Sequence, residues 1–339
     1  MSTPNRNQYR PVHSSARLYT RACVALGCTA LLALAWIGEA GAQAWPDRPV
    51  RVIVPFTAGG SADVLTRIVC DEMSRLSGQP FVIENKPGAG GTIGTTQAAK
   101  APADGYTLLT VTPSFVITQY AYENLTYDTR KDFTPVGMVL TTPLVLVATP
   151  TLNVRTAQGF IDAAKAKPGR VTYSSSGIGS VPHLAGELLK QQAGVDILHV
   201  PFGGGAPALT AVVAGQVSGY FGTPIELDSF IKAGKVIAIA STAPARTPSM
   251  PDLPTFNESG VKVEVIHFTG LVARSVTPPD VLARMSALVQ RALQSKDVRA
   301  KIAQNGDVPV GTIDEAAGIL RKEDARWERV VKAAHITFN

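Results

Sequence analysis

The sequence predicts an α/β protein of two lobes, each a mostly parallel β-sheet flanked by helices, with two crossing strands as the hinge. Three observations predict it. Short β-branched runs alternate with helix-like runs in two separate blocks. Two apolar runs, TPLVLVATP at 142–150 and VEVIHFTGLVA at 263–273, stand before and after the second block. The letters VPF run into a glycine cluster once in each block, VPFTAGGSAD at Val54 to Asp63 and VPFGGGAPAL at Val200 to Leu209.

Taken in order, the first block reads VRVIVPF as a strand, then SADVLTRIVCDEMSRL as a helix in which Val64, Leu65, Ile68, Val69, Met73 and Leu76 recur at helical spacing. PFVIEN follows as a strand, TIGTTQAAKA as a helix and YTLLTVT as a third strand, with a turn-rich region around Tyr127 to Pro135. The apolar run TPLVLVATP, bounded by prolines, carries the chain out. The second block then alternates AQGFIDAAKAKP, RVTYSS, HLAGELLKQQAG, DILHVPF, APALTAVVAGQV and SGYFGT, and ends on the strand VIAIAST. VEVIHFTGLVA brings the chain back, and the amphipathic stretches PPDVLARMSALVQRALQS and EAAGILRKEDARWERVVKAA close the first lobe. The expected limits are 45–146 and 264–339 for lobe 1 and 147–263 for lobe 2. Two lobes joined by two strands can hinge, and the cleft between them is the natural ligand site.

Residues 1–44 read as an export signal. A basic segment ending at Arg21 precedes the apolar run ACVALGCTALLALAWIG, and Ala42 and Ala44 supply the small residues that a signal peptidase requires. Cleavage would begin the mature chain at Trp45, in the periplasm. A permanent anchor fits less well, because the small-residue site follows the run at once. Of the 339 residues, 45% are hydrophobic and 17% charged, enough apolar material for a large core. The net charge is +6, and the leader, with Arg6, Arg10, Arg17 and Arg21 against Glu39, accounts for +3 of it. The mature chain is only mildly basic, and no run of Lys or Arg interleaved with aromatics marks a nucleic-acid surface. Cys23 and Cys28 leave with the signal, so Cys70 remains alone as a packing residue and no internal disulfide is expected.

Each VPF motif ends a strand and opens a helix. In an open parallel sheet, ligands gather at the carboxyl ends of strands, where the next helix points unpaired N–H groups and the positive end of its dipole. Gly59 and Gly60, with Ser61 as the expected N-cap, do this in lobe 1; Pro207 suits the first turn after VPFGGG in lobe 2. YSSSGIGSVPHLAGELL, with Ser174 to Ser180 before a helix, is a third such start. Three anion-ready helix heads in two lobes point to a ligand bearing carboxylates. NKPGAGGTIG at Asn85 to Gly94 fails as a dinucleotide fingerprint, since the required third glycine falls on Ile93. No G-x-S-x-G elbow occurs, and His183, His199, His267 and His335 show no metal-ligand spacing. Asp63, Glu84 and Glu226 are conceivable acids without an arguable pairing. No catalytic residue, metal site or cofactor is expected.

WPDRPVRVIVPFTAGGSAD, NKPGAGGTIG, PADGYTLL, YDTRKDFTPV, YSSSGIGSVPHLAGELL, HVPFGGGAPAL, GQV, PDLPTFNESG and RWERVVKAA, in this order, resemble the substrate-binding proteins of tripartite tricarboxylate transporters, the Bug family. The resemblance covers essentially the whole mature chain. It implies a periplasmic binding protein of the Venus flytrap type, an extracytoplasmic solute receptor that binds a small carboxylate as a monomer and hands it to a membrane permease or sensor. It further implies ligand contacts from Thr57, Ala58, Gly59, Gly60 and Asp63, from Ser175, Gly177, Ser180 and His183, and from Gly204, Gly205 and Ala206. Thr57, Phe202, Gly203 and Ser218 depart from the family's usual proline, tyrosine, longer polar residue and aspartate. The less polar second-lobe loop favours an aromatic or partly apolar acid over citrate. The competing class is a secreted α/β hydrolase or isomerase using the same cleft, which turnover would reveal.

Overall fold

The computed structural model of the chain describes residues 1–2, 45–248, 250–309 and 311–333. The expected signal and its cleavage site, apart from Met1 and Ser2, lie outside the described residues. The chain divides into a short unit, Met1–Asp47, and a compact one, Arg48–Asn339. In the first, the Trp45–Pro46 peptide bond is cis. No helix among the described residues is long and apolar enough to cross a membrane.

The compact unit begins with β1 (Val50–Val54), α1 (Ser61–Ser77), β2 (Phe81–Asn85), α2 (Thr92–Ala99), β3 (Thr107–Val111), α3 (Pro113–Ala121) and β4 (Phe133–Pro143). It continues with β5 (Val145–Ala148), α4 (Ala157–Ala166), β6 (Thr172–Ser175), α5 (Val181–Ala193), β7 (Leu198–Pro201), α6 (Gly205–Val213), β8 (Gly219–Gly222), α7 (Pro224–Lys232) and β9 (Ile237–Ser241). It ends with β10 (Ile266–Arg274), α8 (Pro279–Gln294), α9 (Lys296–Ile302) and α10 (Ile313–Ala333).

Two five-stranded sheets result, ordered β2-β1-β3-β10-β4 and β7-β6-β8-β5-β9. The strands that feed the glycine loops pair in parallel, β1 with β2 and β3, and β6 with β7 and β8. Strands β10 and β5, which lie where the chain changes sheets, pair antiparallel with their neighbours. Val52, Ile53 and Val54 are fully buried, as suits a strand covered on both faces by helices. Helix α1 buries Leu65, Val69 and Met73 on one side and stops at Gly78, whose left-handed conformation returns its N–H to Ser74 O. Cys70 lies beside that apolar face, and burial pushes its thiol up to about 12. Trp327 and Val331 on α10 join the core with Phe115 and Phe133, so the closing helix covers the first sheet.

The structure redraws several elements. TPLVLVATP is not one strand: Pro143 ends β4 in the first sheet, and Val145 starts β5 in the second. Strand β4 begins within the region that reads as turns. Pro135 and Gly137 resemble turn residues, yet β4 is an edge strand and tolerates a missing N–H there. Gly137 fits because a Cβ at that position would lie 2.7 Å from Val289 Cγ1 on α8. Helices α3 and α7 are absent from the sequence reading. Both open on a proline directly after a strand, and α3 is buried on nearly every side, so it shows no amphipathic period.

The two crossings meet at one residue. Thr242 follows β9, its N–H donates to Leu144 O at 2.8 Å, and its hydroxyl donates to Val265 O at 2.6 Å. The Leu144 N–H donates back to Thr242 Oγ1 at 2.9 Å, and the Val265 N–H to Thr242 O at 3.2 Å. Thr242 therefore links the two crossings in the gap between the β4–β10 ladder of the first sheet and the β5–β9 ladder of the second.

Candidate functional site

The two VPF loops face each other. Thr57, Gly59 and Gly60 from the first sheet abut Gly204, Gly205 and Ala206 from the second, closely enough that a Cβ on Gly60 would lie 3.5 Å from Gly205 N and 3.6 Å from Ala206 N. A Cβ on Gly204 would sit 2.9 Å from Thr57 N and 3.0 Å from Thr57 Cβ, and closer still to its hydroxyl. Glycine is required here for approach. At Gly59 it is required for conformation, since φ is +83°. Ala58 and Gly59 lie exposed at the rim, while Gly60 and Gly204 are buried.

Helix heads converge on this seam. The N-cap residues Gly60 of α1, Ser180 of α5 and Gly204 of α6 make no side-chain cap, and neither does Thr112 of α3. The head of α7, at the same cavity, is instead closed by the Thr223–Glu226 capping box, and α4, which opens elsewhere, is capped by the Thr156 hydroxyl accepting from Gly159 N. The heads surround a cavity of about 30 Å³ lined by Phe56, Ser61, Ser114, Pro182, Tyr220 and His267, too small for an organic acid. The Ser61 and Ser180 hydroxyls are buried without a hydrogen-bond partner, as are the Thr57 hydroxyl and both ring nitrogens of His267. Burial lowers His267 to about 4, so its ring is neutral. A larger groove of about 490 Å³, bordered by Arg246, Phe268 and Lys322, is lined by none of the glycine-loop residues.

The other expected contacts play distinct parts. Asp63 Oδ2 accepts from Gly59 N and Arg67 Nε, each at 2.9 Å, and Oδ1 accepts from Arg67 and Asn85. Burial opposes this charge, but these donors outweigh it and hold the carboxyl below its usual range. Asp63 thus shapes the loop from behind. Gly177 faces Gly90 of the NKPGAGGTIG turn, with a Cβ there 3.3 Å from Gly90 N. Ser175 is fully buried, and its hydroxyl lies 2.7 Å from His199 Nε2 and accepts from Gly177 N at 3.1 Å. His183 Nδ1 accepts from Gly179 N at 3.2 Å, and its ring stacks on His199 at 4.0 Å. Burial lowers His183 to about 4 and His199 to about 3, so the stacked pair is neutral.

Glu226 enters the site without having been placed there by the sequence reading. It is the N3 residue of α7 in a capping box with Thr223, and its Oε1 accepts from Ser61 N at 3.0 Å across the seam. Burial raises its pKa, against the donors at Ser61 and Thr223. The local signal was Thr-x-x-Glu after a strand, a capping box in the sequence; the partner, 165 residues away, had no local signal. His267 and His199, both inside apolar strand runs, gave none either. No group of three or more His, Cys, Asp or Glu among the described residues could hold a metal.

Two sheets that share a hinge and close glycine-rich helix heads upon one another define a two-lobed solute-binding protein. Comparison with known proteins gives the family. The model of the tripartite tricarboxylate transporter family receptor matches residues 65–336, and the chain belongs to that family. Among solved structures, the periplasmic binding protein BugD is similar at 32% identity and TM-score 0.83, covering 86% of this chain and 99% of its own. A protein of R. palustris solved with adipate is 34% identical at TM-score 0.82, covering 86% and 99%. MatC from Rhodopseudomonas palustris, with bound malate, is 34% identical at TM-score 0.79, covering 85% and 100%.

Proposed function

We propose that the protein is exported, closes its lobes on a small carboxylate, and delivers it to a tripartite permease or a sensor. The convergence of uncapped helix heads from both sheets carries the reading. The N–H groups and positive dipole ends of these heads, fixed by the folded loops, favour an anion at little reorganisation cost, although the Ser61 N–H is engaged by Glu226 Oε1. The dicarboxylates bound by the two R. palustris relatives support the same ligand class. In this reading Thr57, Ala58, Gly59 and Gly60, Ser175, Gly177, Ser180 and His183, and Gly204, Gly205 and Ala206 form the loops around the ligand, with Asp63 bracing the first. The lobes pivot with crossings within a few residues of 146 and 264. The protein acts as a monomer in the periplasm, and residues 1–44 are removed on export.

Native mass spectrometry of freshly purified protein tests this directly, since a closed cleft retains what it captured. An acid of defined mass, unchanged after release, is expected; a preparation that never carries or binds any carboxylate would sink the reading. One observation favours a second reading. The 2.7 Å spacing of Ser175 Oγ and His199 Nε2 is that of a nucleophile and its base. Ser175 is, however, fully buried. Ester hydrolysis abolished by Ser175→Ala would establish the hydrolase instead.

A further inference from the structure

Glu226 holds its two oxygens in different lobes. Oε2 accepts from Thr223 N and Thr223 Oγ1, each at 3.2 Å, and from the Tyr220 hydroxyl at 3.3 Å, all from the second lobe. Oε1 accepts from Ser61 N, in the first lobe. The capping box explains the contacts with Thr223 and needs nothing from the first lobe. Oε1 lies where the heads of α1 and α6 meet: a Cβ on Gly60 would be 3.4 Å from it, and one on Gly205 would run into it. A carboxylate oxygen already stands at the position where the helix heads would place a ligand's.

We propose that Glu226 sets the ligand specificity of this receptor: its carboxylate stands in for a ligand acid at the head of α1, and an incoming carboxylate must take the Ser61 N–H from it. The proposal rests on the receptor reading above. One N–H satisfies one acceptor well, and two carboxylates brought together at one seat repel. Binding is therefore an exchange, and the observed affinity is the difference between the ligand's hold on the seat and that of Glu226. Acids whose only strong interaction is a single carboxylate gain little from such an exchange. Acids that also engage the buried, unpartnered groups of the same cavity, the Ser61 hydroxyl and the ring nitrogens of His267, gain more. The same contact spans the two lobes, and in this proposal it favours closure before an acid arrives.

Two measurements test this on the mature protein stripped of ligand. Glu226→Gln keeps the capping box, because glutamine serves at N3 as glutamate does, and removes the charge. Glu226→Ala removes the cross-lobe contact, and circular dichroism reports whether it folds. In small-angle scattering without ligand, Glu226→Ala is expected to have a larger radius of gyration than wild type. In calorimetry with adipate as the probe, Glu226→Gln is expected to bind at least tenfold more tightly. A Glu226→Ala protein that scatters like wild type overturns the proposal, and so does a Glu226→Gln protein that binds adipate measurably but no better. If neither protein binds any carboxylate, the receptor reading fails separately, and the scattering comparison, which needs no ligand, still decides the role of Glu226.

Discussion

Replacing Gly204 by alanine adds one methyl group at the tightest point of the seam. The backbone accepts it, since φ of 173° and ψ of 175° are extended values open to any residue. The closed lobes do not. The new Cβ would lie 2.9 Å from Thr57 N and 3.0 Å from Thr57 Cβ, where ordinary contacts begin near 3.4 Å. The threonine hydroxyl can rotate away, but the backbone nitrogen cannot. Overpacking of this kind costs about 1–3 kcal/mol, and here it falls on the closed state alone. The closed population, and with it the ligand affinity, should drop about fivefold to over a hundredfold. The assay is calorimetry with the acid that native mass spectrometry identifies, paired with scattering at saturation. A companion Thr57→Ala change removes the hydroxyl but neither of the two fixed atoms, so it should recover only part of the loss. Wild-type affinity and wild-type compaction in Gly204→Ala would refute the opposition of the two loops.

Three further outcomes are expected. Intact-mass measurement of the exported protein should give a chain beginning at Trp45; full-length protein, or lipid on Cys28, would contradict the leader reading. Ser175→Ala should weaken ligand binding by about 1 kcal/mol, and His183→Ala should still bind, because both side chains support a loop whose N–H groups they leave in place; calorimetry that finds binding abolished in either would shift the site onto side chains. Stability should fall on acidification below about pH 6.5. His183 and His267 are lowered to about 4 and His199 to about 3, from 6.5, so the unfolded chain binds more protons throughout that window. The buried His183 and His267 each contribute a slope of up to about 1.4 kcal/mol per pH unit, with less from the part-exposed His199, while Glu226 and Glu323, raised by burial, act in the opposite sense near their own pKa values. Urea titrations at neutral and mildly acid pH, with His267→Phe expected to flatten the slope, measure it; stability that rises between pH 6.5 and 5 would contradict it.

The glycine loops were legible because their chemistry is local. A strand end, a turn needing positive φ at Gly59 and a helix start all lie within ten residues, and each leaves a mark in the sequence. Strand β4 was not legible, because Pro135 and Gly137 are penalised in an interior strand and tolerated at a sheet edge, which no local pattern reveals. Helix α3 lacked a polar face to set its period. Glu226 could be read as a helix cap, but its contact with Ser61 exists only once two sheets have been folded and closed on each other. The stacking of His183 on His199 likewise joins a helix to a strand that the sequence separates.

The link at Thr242 bears on how the lobes can move. Two independent linkers would allow sliding, twisting and bending in any mixture. Here both linkers are fastened to one another at Leu144, Thr242 and Val265, so bending one crossing while leaving the other unchanged would break these hydrogen bonds. Opening that keeps these bonds bends both crossings together, so reporter pairs placed across the two lobes are expected to change in concert rather than independently.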